Sequence, residues 1–415
     1  MQGARIWLIL HTEGILAIPI KIVYFMKGLR LFTLLSALSL TSAVIVSSCE
    51  KESAQKKTAY ISDPAKVEMI NSLRNLDGNG RLYELYYTED YKLDKVLASG
   101  KTSVNDLFQY VAYLLYDELG TKAPEVDFGA GCSVFAVPER DGHDFLMGRN
   151  YDYRHSTEDR TTYLPTAAII VHTAPEGGKK SISMVDGMHL GFGQGFYEEK
   201  DKDLSMMMAL PYALLDGVNE DGFAIGVLAL NETPAKQERN KTPISTTVAM
   251  RMLLDRASTV KEALDMLDEY DINMESTGRS SYHFFMADAT GDYAIVEYTY
   301  DGVHENPCVR ETLRGNDTLR CVTNFYVSPT MVGTTDGWGS NHGKARYETM
   351  RNTLQANNYT LSENDAMTLL KNVSQPPTEE ITSMTQWSSM YNLTEKTLRL
   401  AILREYADEH CFGIE

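Results

Sequence analysis

Hydrophobic positions between residues 63 and 120 recur at the spacing of amphipathic helices. The clearest case is the stretch SVNDLFQYVAYLLYDEL, in which four large apolar residues share one helical face. Ser103 stands at the start of this stretch and can cap its first turn. The pattern therefore predicts a helical segment that ends near Gly120. The four residues of the apolar face are Leu107, Val111, Leu114 and Leu115.

From Cys132 onward, the pattern changes to short apolar runs separated by turn residues, which is typical of strands. The first runs are SVFAV, FLMGRNYDY and AAIIVHT, and residues 223–230 (FAIGVLAL) have the composition of a buried strand. Residues 282–287 and 293–298 flank the turn sequence ATGD, so they predict a hairpin. Further strands are predicted at residues 321–323, 387–393 and 398–402.

Helices are predicted in blocks between these strands. Residues 243–270 contain two helical stretches, and the second begins with a capping box in which Glu262 follows Thr259 by three residues. Residues 361–373 form another predicted helix, with Ser362 as its cap. Many strands in hairpins, with helices inserted in blocks, indicate an α+β fold with antiparallel sheets and helices on the outside.

The N-terminus has the pattern of an export signal. The basic sequence MKGLR at residues 26–30 precedes the apolar run LFTLLSALSLTSAVIV, and Ser47, Ser48 and Cys49 follow. This arrangement is similar to a bacterial lipoprotein signal, which is cleaved before the cysteine and lipidated on its thiol. The alternative is a single membrane-anchoring helix. Met26 is the better start for such a signal, which favours a shorter chain in which residues 1–25 are not translated.

The charge of the chain bears on its partners. The 415 residues carry a formal net charge of −18 at pH 7. Because so acidic a chain repels phosphate backbones, we expect no nucleic acid among its partners. The acidity has a simple explanation in solubility.

The chain has five cysteines, of which Cys49 belongs to the predicted signal. No CxxC or HExxH spacing is present, so the sequence predicts neither a metal site nor a cofactor. Cys308 and Cys321 flank the turn-like sequence RGND, and they are either bridged across a hairpin or two buried free thiols.

Cys132 differs from the others because it follows the flexible sequence Gly129-Ala130-Gly131. Cleavage of an unactivated amide needs a nucleophile, a base and donors for the oxyanion. A cysteine at a new N-terminus meets the first two needs, since an α-amino group has an ordinary pKa of about 7.7–8.0 and can act as the base. The glycine before Cys132 leaves room for the thiol to attack the preceding carbonyl and to cut the chain.

Five ordered sequence blocks support this chemistry and resemble the cysteine-type N-terminal nucleophile amidases. That family includes choloylglycine (bile salt) hydrolases, penicillin V acylases and, more distantly, acid ceramidase and N-acylethanolamine amidase. The resemblance runs from about Gly131 to Ile402 and implies a four-layer αββα sandwich, with two antiparallel sheets between helical layers. The blocks are Cys132-Ser133 with GRNYD at 148–152, DGVNEDG at 216–222 with ALN at 229–231, HFFMAD at 283–288, VTN at 322–324 and ARY at 345–347.

The resemblance also implies roles for individual residues. Cys132 is the expected nucleophile, Arg149 is expected to lower the pKa of its thiol, and Asp152 is expected to hold the α-amine. Asn231 and Asn324 match the positions that face the oxyanion. The remaining match is Arg346, which is expected to support the site by ion pairing.

Each of these assignments has a simpler alternative. Without the other blocks, Cys132 would be read as a small buried hydrophobic residue. Arg149 and Asp152 could form an ion pair with a purely structural role. The spacing of Asn231 from the preceding block is two residues longer than in bile salt hydrolases. Asn219 is better explained as a turn residue. His283 resembles a general base, but its counterpart in the family lies on a strand and has no catalytic part.

One departure from the family concerns the segment before the nucleophile. Bile salt hydrolases and penicillin V acylases have little before their cysteine, whereas more than eighty residues separate Cys49 from Cys132 here. This layout is similar to the ceramidase branch, in which a pro-segment remains bound as a small subunit. The predicted organisation is a signal peptide at 1–48, a lipid-anchor linker at 49–62, a helical pro-segment or small subunit at 63–131, and a catalytic domain at 132–415.

The sequence therefore favours an exported, membrane-anchored bacterial lipoprotein that faces the periplasm or the cell surface. It is expected to cut itself between Gly131 and Cys132 and then to hydrolyse linear amide bonds of small N-acyl compounds. Conjugated bile acids, N-acyl amines and penicillin V are candidate substrates. The alternatives are an acyltransferase on the same scaffold and a surface lipoprotein that binds ligands without turnover. The sequence leaves the oligomeric state open, and a homo-oligomer is compatible with it.

Overall fold

A computed structural model describes residues 58, 60–116, 131–157, 162–230, 234–274, 280–300, 307–331, 343–377 and 383–414. The predicted signal sequence and Cys49 lie outside these ranges, as does the alternative membrane-anchoring helix. Within the ranges, no helix is both long and apolar enough to span a bilayer.

The described residues contain seven α-helices and seventeen strands. The helices are α1 (Pro64–Asn71), α2 (Leu93–Ser99), α3 (Val104–Leu115), α4 (Thr246–Arg256), α5 (Val260–Leu267), α6 (Lys344–Ala356) and α7 (Glu363–Val373). The strands are β1 (Arg74–Asn75), β2 (Leu82–Tyr87), β3 (Gly131–Pro138), β4 (Phe145–Asp152), β5 (Ala168–Thr173), β6 (Ser181–Asp186), β7 (Leu214–Asn219), β8 (Ala224–Leu230), β9 (Pro243–Ile244), β10 (Asp271–Ile272), β11 (Ser281–Ala287), β12 (Tyr293–Thr299), β13 (Val309–Arg314), β14 (Cys321–Val322), β15 (Thr385–Asn392), β16 (Thr397–Ile402) and β17 (His410–Gly413).

Two large sheets form the centre of the described part. The first has nine strands in the order β1-β2-β5-β6-β7-β8-β11-β12-β13, and the second has six in the order β14-β3-β4-β15-β16-β17. Neighbouring strands in both sheets are antiparallel, except for β2 and β5, which are parallel. Strands β9 and β10 form a separate two-stranded parallel pair.

The sheets are stacked between helices. Strand β3 of the second sheet packs on β8 of the first, and α4 covers the outer side of the first sheet at β7 and β8. On the outer side of the second sheet, α6 and α7 pack on β3, β4, β14 and β15. The layer order is therefore helix, sheet, sheet, helix, which confirms the predicted α+β class and the αββα sandwich.

Hydrophobic residues fill the space between the two sheets and the spaces between each sheet and its helices. The larger core lies between the two sheets and continues under α1 to α5. A smaller core lies between the second sheet and the helices α6 and α7, where Phe135, Leu146 and Met390 meet Leu354 and Leu370. Alternate residues of β3 contribute to the two cores, because successive side chains of a strand point to opposite faces.

The prediction of a wholly helical segment before Cys132 is wrong over one stretch. Helices α1, α2 and α3 form, and the Ser103 side chain caps α3 by accepting from the Asp106 backbone N–H at 3.1 Å. Between α1 and α2, however, residues Leu82–Tyr87 (LYELYY) form strand β2 and pair in parallel with β5. Tyrosine-rich sequence has a high strand propensity, and pairing with β5 buries nearly all of this stretch.

Several local predictions are confirmed. The hairpin forms from β11 and β12, and the final strand pair forms from β15 and β16. Thr259 caps α5 as predicted, whereas the Glu262 carboxylate accepts from the Ser258 backbone N–H at 2.7 Å and not from that of Thr259, so only half of the capping box forms. Ser362 caps α7. Cys308 and Cys321 are free buried thiols, so the hairpin disulfide does not form.

Candidate active site

The register of β3 and β4 brings Cys132 to the GRNYD sequence. Cys132 lies opposite Tyr151, and Gly131 lies opposite Asp152. Side chains at directly opposed positions project to the same face, so the Cys132 thiol and the Tyr151 ring both enter the core between the sheets. Cys132 is only 1% exposed. The chain is continuous from Gly131 to Cys132 within β3, so this is the geometry of the uncut chain.

The thiol lies beside a buried guanidinium. Arg149 Nη2 is 3.6 Å from Cys132 Sγ and also donates to the Val227 carbonyl at 2.7 Å. Burial raises the pKa of the Cys132 thiol, and the Arg149 charge offsets only part of this effect. Arg149 therefore lowers the thiol pKa, as predicted, although burial in the uncut chain raises that pKa by more.

Asp216 is the ion-pair partner of Arg149. Its carboxylate accepts from Arg149 Nη1 and also from the side chains of Trp387, Ser389 and Tyr391. All five residues are buried. A carboxylate with this many donors is stable without water, and it fixes the guanidinium that faces the thiol. The sequence block DGVNEDG contained Asp216, but no role was predicted for it.

The alternative ion pair of Arg149 with Asp152 does not form. Positions 149 and 152 are an odd number of residues apart on one strand, so their side chains point to opposite faces of the sheet. Asp152 instead pairs with Arg346, whose Nη1 is 3.0 Å from Asp152 Oδ2. Thr385 and Gln375 also donate to Asp152, at 2.6 Å and 2.8 Å.

Asn324 and Arg346 hold the backbone of Cys132. The Asn324 Oδ1 atom accepts from the Cys132 nitrogen at 2.6 Å and from Arg346 Nη2 at 3.0 Å. Arg346 Nη1 donates to the Cys132 carbonyl oxygen at 2.7 Å. The Nδ2 atom of Asn324 donates to the Ala229 carbonyl at 2.8 Å. The side chain of Asn324 is thus directed at the backbone nitrogen of Cys132.

The structure brings together five of the six predicted site residues, namely Cys132, Arg149, Asp152, Asn324 and Arg346. The sixth, Asn231, lies outside the described residues. Asn219 is a turn residue, as expected, because its Oδ1 accepts from the Asp221 and Phe223 backbone N–H groups. The catalytic roles of the six residues stay predictions.

His283 is not in contact with the thiol but supports the segment that contains Asn324. Its Nε2 lies 2.8 Å from the Thr323 carbonyl oxygen, and its Nδ1 lies 3.0 Å from Glu297 Oε1. The Glu297 carboxylate also accepts from the Val327 and Ser328 backbone N–H groups, at 3.0 Å and 2.8 Å. This buried pair therefore holds the chain on both sides of Asn324.

Gly131 occupies a confined position. A Cβ atom at this residue would come within 2.8 Å of Gln375 Nε2 and 3.0 Å of Ser383 Oγ. Such separations are too short for unbonded atoms, so a larger residue would displace Gln375, which donates to Asp152. This close approach explains the glycine at position 131.

A second polar cluster surrounds the hydroxyl group of Tyr151. The Tyr151 hydroxyl is 3.0 Å from Asp186 Oδ2 and 3.1 Å from His189 Nε2, and His155 Nε2 is 2.8 Å from the same carboxylate oxygen. These residues were not predicted. His155 and His189 are 34 positions apart in no short motif, and the fold alone brings them together.

Comparison with known proteins gives one family match. A family model described as acyl-coenzyme A:6-aminopenicillanic acid acyl-transferase matches residues 138–404. Among curated proteins, no sequence matches the chain.

Solved structures of two named proteins are also similar to the chain. Two variants of the conjugated bile acid hydrolase from Clostridium perfringens have 16% sequence identity, and each comparison covers 68% of this chain and 92% of the other. Their TM-scores are 0.43 and 0.44. Penicillin V acylase from Agrobacterium tumefaciens has 18% identity and a TM-score of 0.42, with coverage of 65% of this chain and 83% of that one.

Proposed function

The chain belongs to the acyl-coenzyme A:6-aminopenicillanic acid acyl-transferase family, and we propose that it is an exported amidase of small N-acyl compounds. It becomes active by cutting itself between Gly131 and Cys132. Its reaction is hydrolysis of a linear amide C–N bond that is not a peptide bond. Conjugated bile acids, N-acyl amines and penicillin V are the candidate substrate classes.

The environment of Cys132 is the observation that supports this proposal most. Its thiol lies 3.6 Å from a buried guanidinium, and its nitrogen lies 2.6 Å from the Asn324 oxygen. A merely structural cysteine needs neither partner, since it behaves as a small hydrophobic residue. Both partners suit a residue whose sulfur is a nucleophile and whose nitrogen becomes a base.

Self-cleavage proceeds through an ester-like intermediate. The Cys132 sulfur attacks the Gly131 carbonyl carbon, the C–N bond breaks, and the Cys132 nitrogen takes up the thiol proton. Water then hydrolyses the resulting thioester, which leaves a carboxylic acid on Gly131 and restores the thiol. The step yields a free α-amine at Cys132. Because the thiol is 1% exposed before this step, substrate cannot reach it in the uncut chain.

In turnover, the α-amine removes the thiol proton as sulfur attacks the substrate carbonyl. The leaving amine receives that proton when the C–N bond breaks, and water hydrolyses the acyl-thioester to regenerate the enzyme. Arg149 faces the thiol and stabilises its anionic form. Asn324 orients the α-amine, and the backbone of Cys132 is held by Arg346. Donors for the oxyanion are proposed from Asn231 and Asn324.

Export and anchoring belong to the same proposal. The basic sequence at residues 26–30, the apolar run and Cys49 support a lipoprotein signal. After its removal, lipid on Cys49 would hold the enzyme at a membrane that faces the periplasm or the cell surface. Radiolabelled fatty acid incorporation, lost on Cys49→Ala, tests this part.

The fragment before the cut is proposed to stay bound as a small subunit. Strand β2 lies inside the nine-stranded sheet and is hydrogen-bonded to β5 over six residue pairs. Leu82, Tyr83 and Leu85 of that strand are fully buried. Loss of the fragment would expose this apolar surface and the edge of β5, which opposes dissociation.

A hydrolysis screen tests the activity. Purified protein is incubated with taurocholate, penicillin V and N-acyl ethanolamines side by side, and the released amines are measured. We expect turnover of at least one class and none with Cys132→Ala. A properly folded, fully cut protein that hydrolyses no member of the panel would contradict the amidase and favour the ligand-binding alternative.

The description of the family model favours a second candidate, an acyltransferase. The same acyl-thioester can react with an amine instead of water, so only the acceptor differs. Incubation with an acyl donor and 6-aminopenicillanic acid, followed by mass spectrometry, measures the ratio of transfer to hydrolysis. Hydrolysis that is unaffected by the acceptor supports the amidase, and a dominant transfer product supports the acyltransferase.

A further inference from the structure

Three side chains of types that can ligate a metal converge beside the strand that contains the GRNYD sequence. His155 follows β4, Asp186 ends β6, and His189 lies in the 3₁₀ helix Gly187–Leu190. One atom from each of the three lies within 4.8 Å of the other two. The side chains of Asp186 and His189 are buried, and that of His155 is 11% exposed.

We propose that His155, Asp186 and His189 bind one divalent transition-metal ion, with Zn²⁺ as the best match. Two imidazole nitrogens and one carboxylate oxygen are a common ligand set for zinc, and they suit Mg²⁺ or Ca²⁺ poorly. The site is independent of the proposed amidase activity, because none of its three ligands has a part in that reaction.

The distances fit such an ion after a small adjustment. Zinc lies about 2.0–2.2 Å from N and O ligands, so two ligand atoms of a tetrahedral site are roughly 3.3 Å apart. Here the Asp186 Oδ2 atom is 2.8 Å from His155 Nε2 and 3.9 Å from His189 Nε2. These values lie on either side of the required separation. An ion would replace the direct hydrogen bond between His155 Nε2 and Asp186 Oδ2.

Neighbouring groups already orient the carboxylate. The other oxygen of Asp186 accepts from the Met188 backbone N–H at 3.0 Å and from the Thr166 hydroxyl. Hydrogen bonds of this kind fix metal ligands in proteins and strengthen their binding. Three protein ligands and a fourth coordination position that a water could fill are the pattern of an open zinc site.

The site is also connected to the nucleophile. Tyr151 lies opposite Cys132 on the neighbouring strand, and its hydroxyl contacts both Asp186 and His189. An ion at the proposed position would therefore lie beside the Tyr151 hydroxyl.

Zinc binding by the full chain tests the proposal. Protein stripped with a chelator is equilibrated with micromolar ZnCl₂, and bound zinc per chain is measured by atomic emission. His189→Ala and Asp186→Asn should each bind one ion fewer than the unsubstituted protein. The same difference should appear in a Cys132→Ala background, which removes the nucleophilic thiol and the α-amine as ligands.

His172→Ala is the matched control. His172 Nε2 also pairs with a carboxylate, Glu84, at 2.9 Å, but the pair belongs to no three-ligand group in the described part of the chain. This variant should retain the ion. Equal zinc content in the unsubstituted protein and in His189→Ala would overturn the proposal, as would the absence of zinc from both.

Cobalt gives a second readout that needs no substitution. Co²⁺ in a tetrahedral nitrogen and oxygen site has strong visible absorption, whereas hexaaqua Co²⁺ absorbs weakly. One equivalent of Co²⁺ should produce that spectrum, and Zn²⁺ should abolish it. If the variants fail to fold, a weak octahedral spectrum in the unsubstituted protein still overturns the proposal.

Discussion

The side-chain oxygen of Asn324 accepts a hydrogen bond from the backbone nitrogen of Cys132, at 2.6 Å. The same oxygen accepts from Arg346 Nη2, so its position is fixed from two directions. Cleavage after Gly131 would turn this nitrogen into an α-amine without requiring Asn324 to move.

The Arg149–Asp216 ion pair predicts a large effect on stability. Asp216→Asn leaves the buried guanidinium without its charge partner, so we expect the free energy of unfolding to fall by about 3–5 kcal/mol. Urea denaturation of the Cys132→Ala protein, with and without the substitution, measures this. Asp265→Asn, which removes the exposed partner of Lys261, is the control and should change little. Equal effects of the two substitutions would contradict the structural account of Asp216.

Gly131→Ala should slow self-cleavage without preventing folding. The added Cβ would approach Gln375 Nε2 at 2.8 Å and displace the contact of Gln375 with Asp152. We expect the rate to fall by about tenfold or more, because small misplacements of reacting groups have effects of this size. The fraction of uncut chain over time, measured on denaturing gels, gives the rate. Gly413→Ala is the control, since nothing lies within 4 Å of a Cβ there. An unchanged rate in Gly131→Ala would show that Gln375 does not restrict this position.

Self-cleavage and turnover should differ in pH dependence. Burial raises the pKa of the Cys132 thiol in the uncut chain, with a smaller opposing effect from Arg149. The thiolate fraction is therefore low at pH 7 and rises with pH, so the cleavage rate should increase about tenfold per pH unit below the thiol pKa. Turnover depends on the α-amine, with an ordinary pKa of about 7.7–8.0, and should reach a plateau above it. Cleavage that accelerates in acid would contradict this assignment.

Glu297 should affect catalysis although it is remote from the thiol. Glu297→Gln replaces one acceptor oxygen with a donor and breaks a contact with the Val327 or Ser328 backbone. We expect kcat to fall about tenfold or more with a small change in KM, because Asn324 would lose its position rather than its substrate contacts. Glu84→Gln, in the other buried histidine–carboxylate pair, should leave both constants unchanged. A rise in KM alone would contradict a positioning role.

Local sequence patterns were sufficient for much of the fold. The helix cap at Ser103, the Thr259 cap of α5 and the hairpin of β11 and β12 are set by residues close in the chain, and all three form. Strand β2 was missed because its pairing with β5 joins residues that are 86 positions apart in the chain. No local pattern records such a contact.

In the candidate site, too, local motifs were predicted correctly and contacts between distant segments were not. Ordered motifs identified Cys132, Arg149 and Arg346, which do lie together. Asp216 was in a recognised block, but its partnership with Arg149 depends on the stacking of two different sheets. The raised thiol pKa was also missed, since it follows from burial rather than from the identity of neighbouring residues.

The most direct test of the central claim is the intact mass of the purified protein, with N-terminal sequencing of its chains. An active preparation should contain two chains, and the larger one should begin at Cys132 with a free α-amine. Cys132→Ala should give a single uncut chain without activity. Full activity in a preparation whose Gly131–Cys132 bond is unbroken would contradict the account.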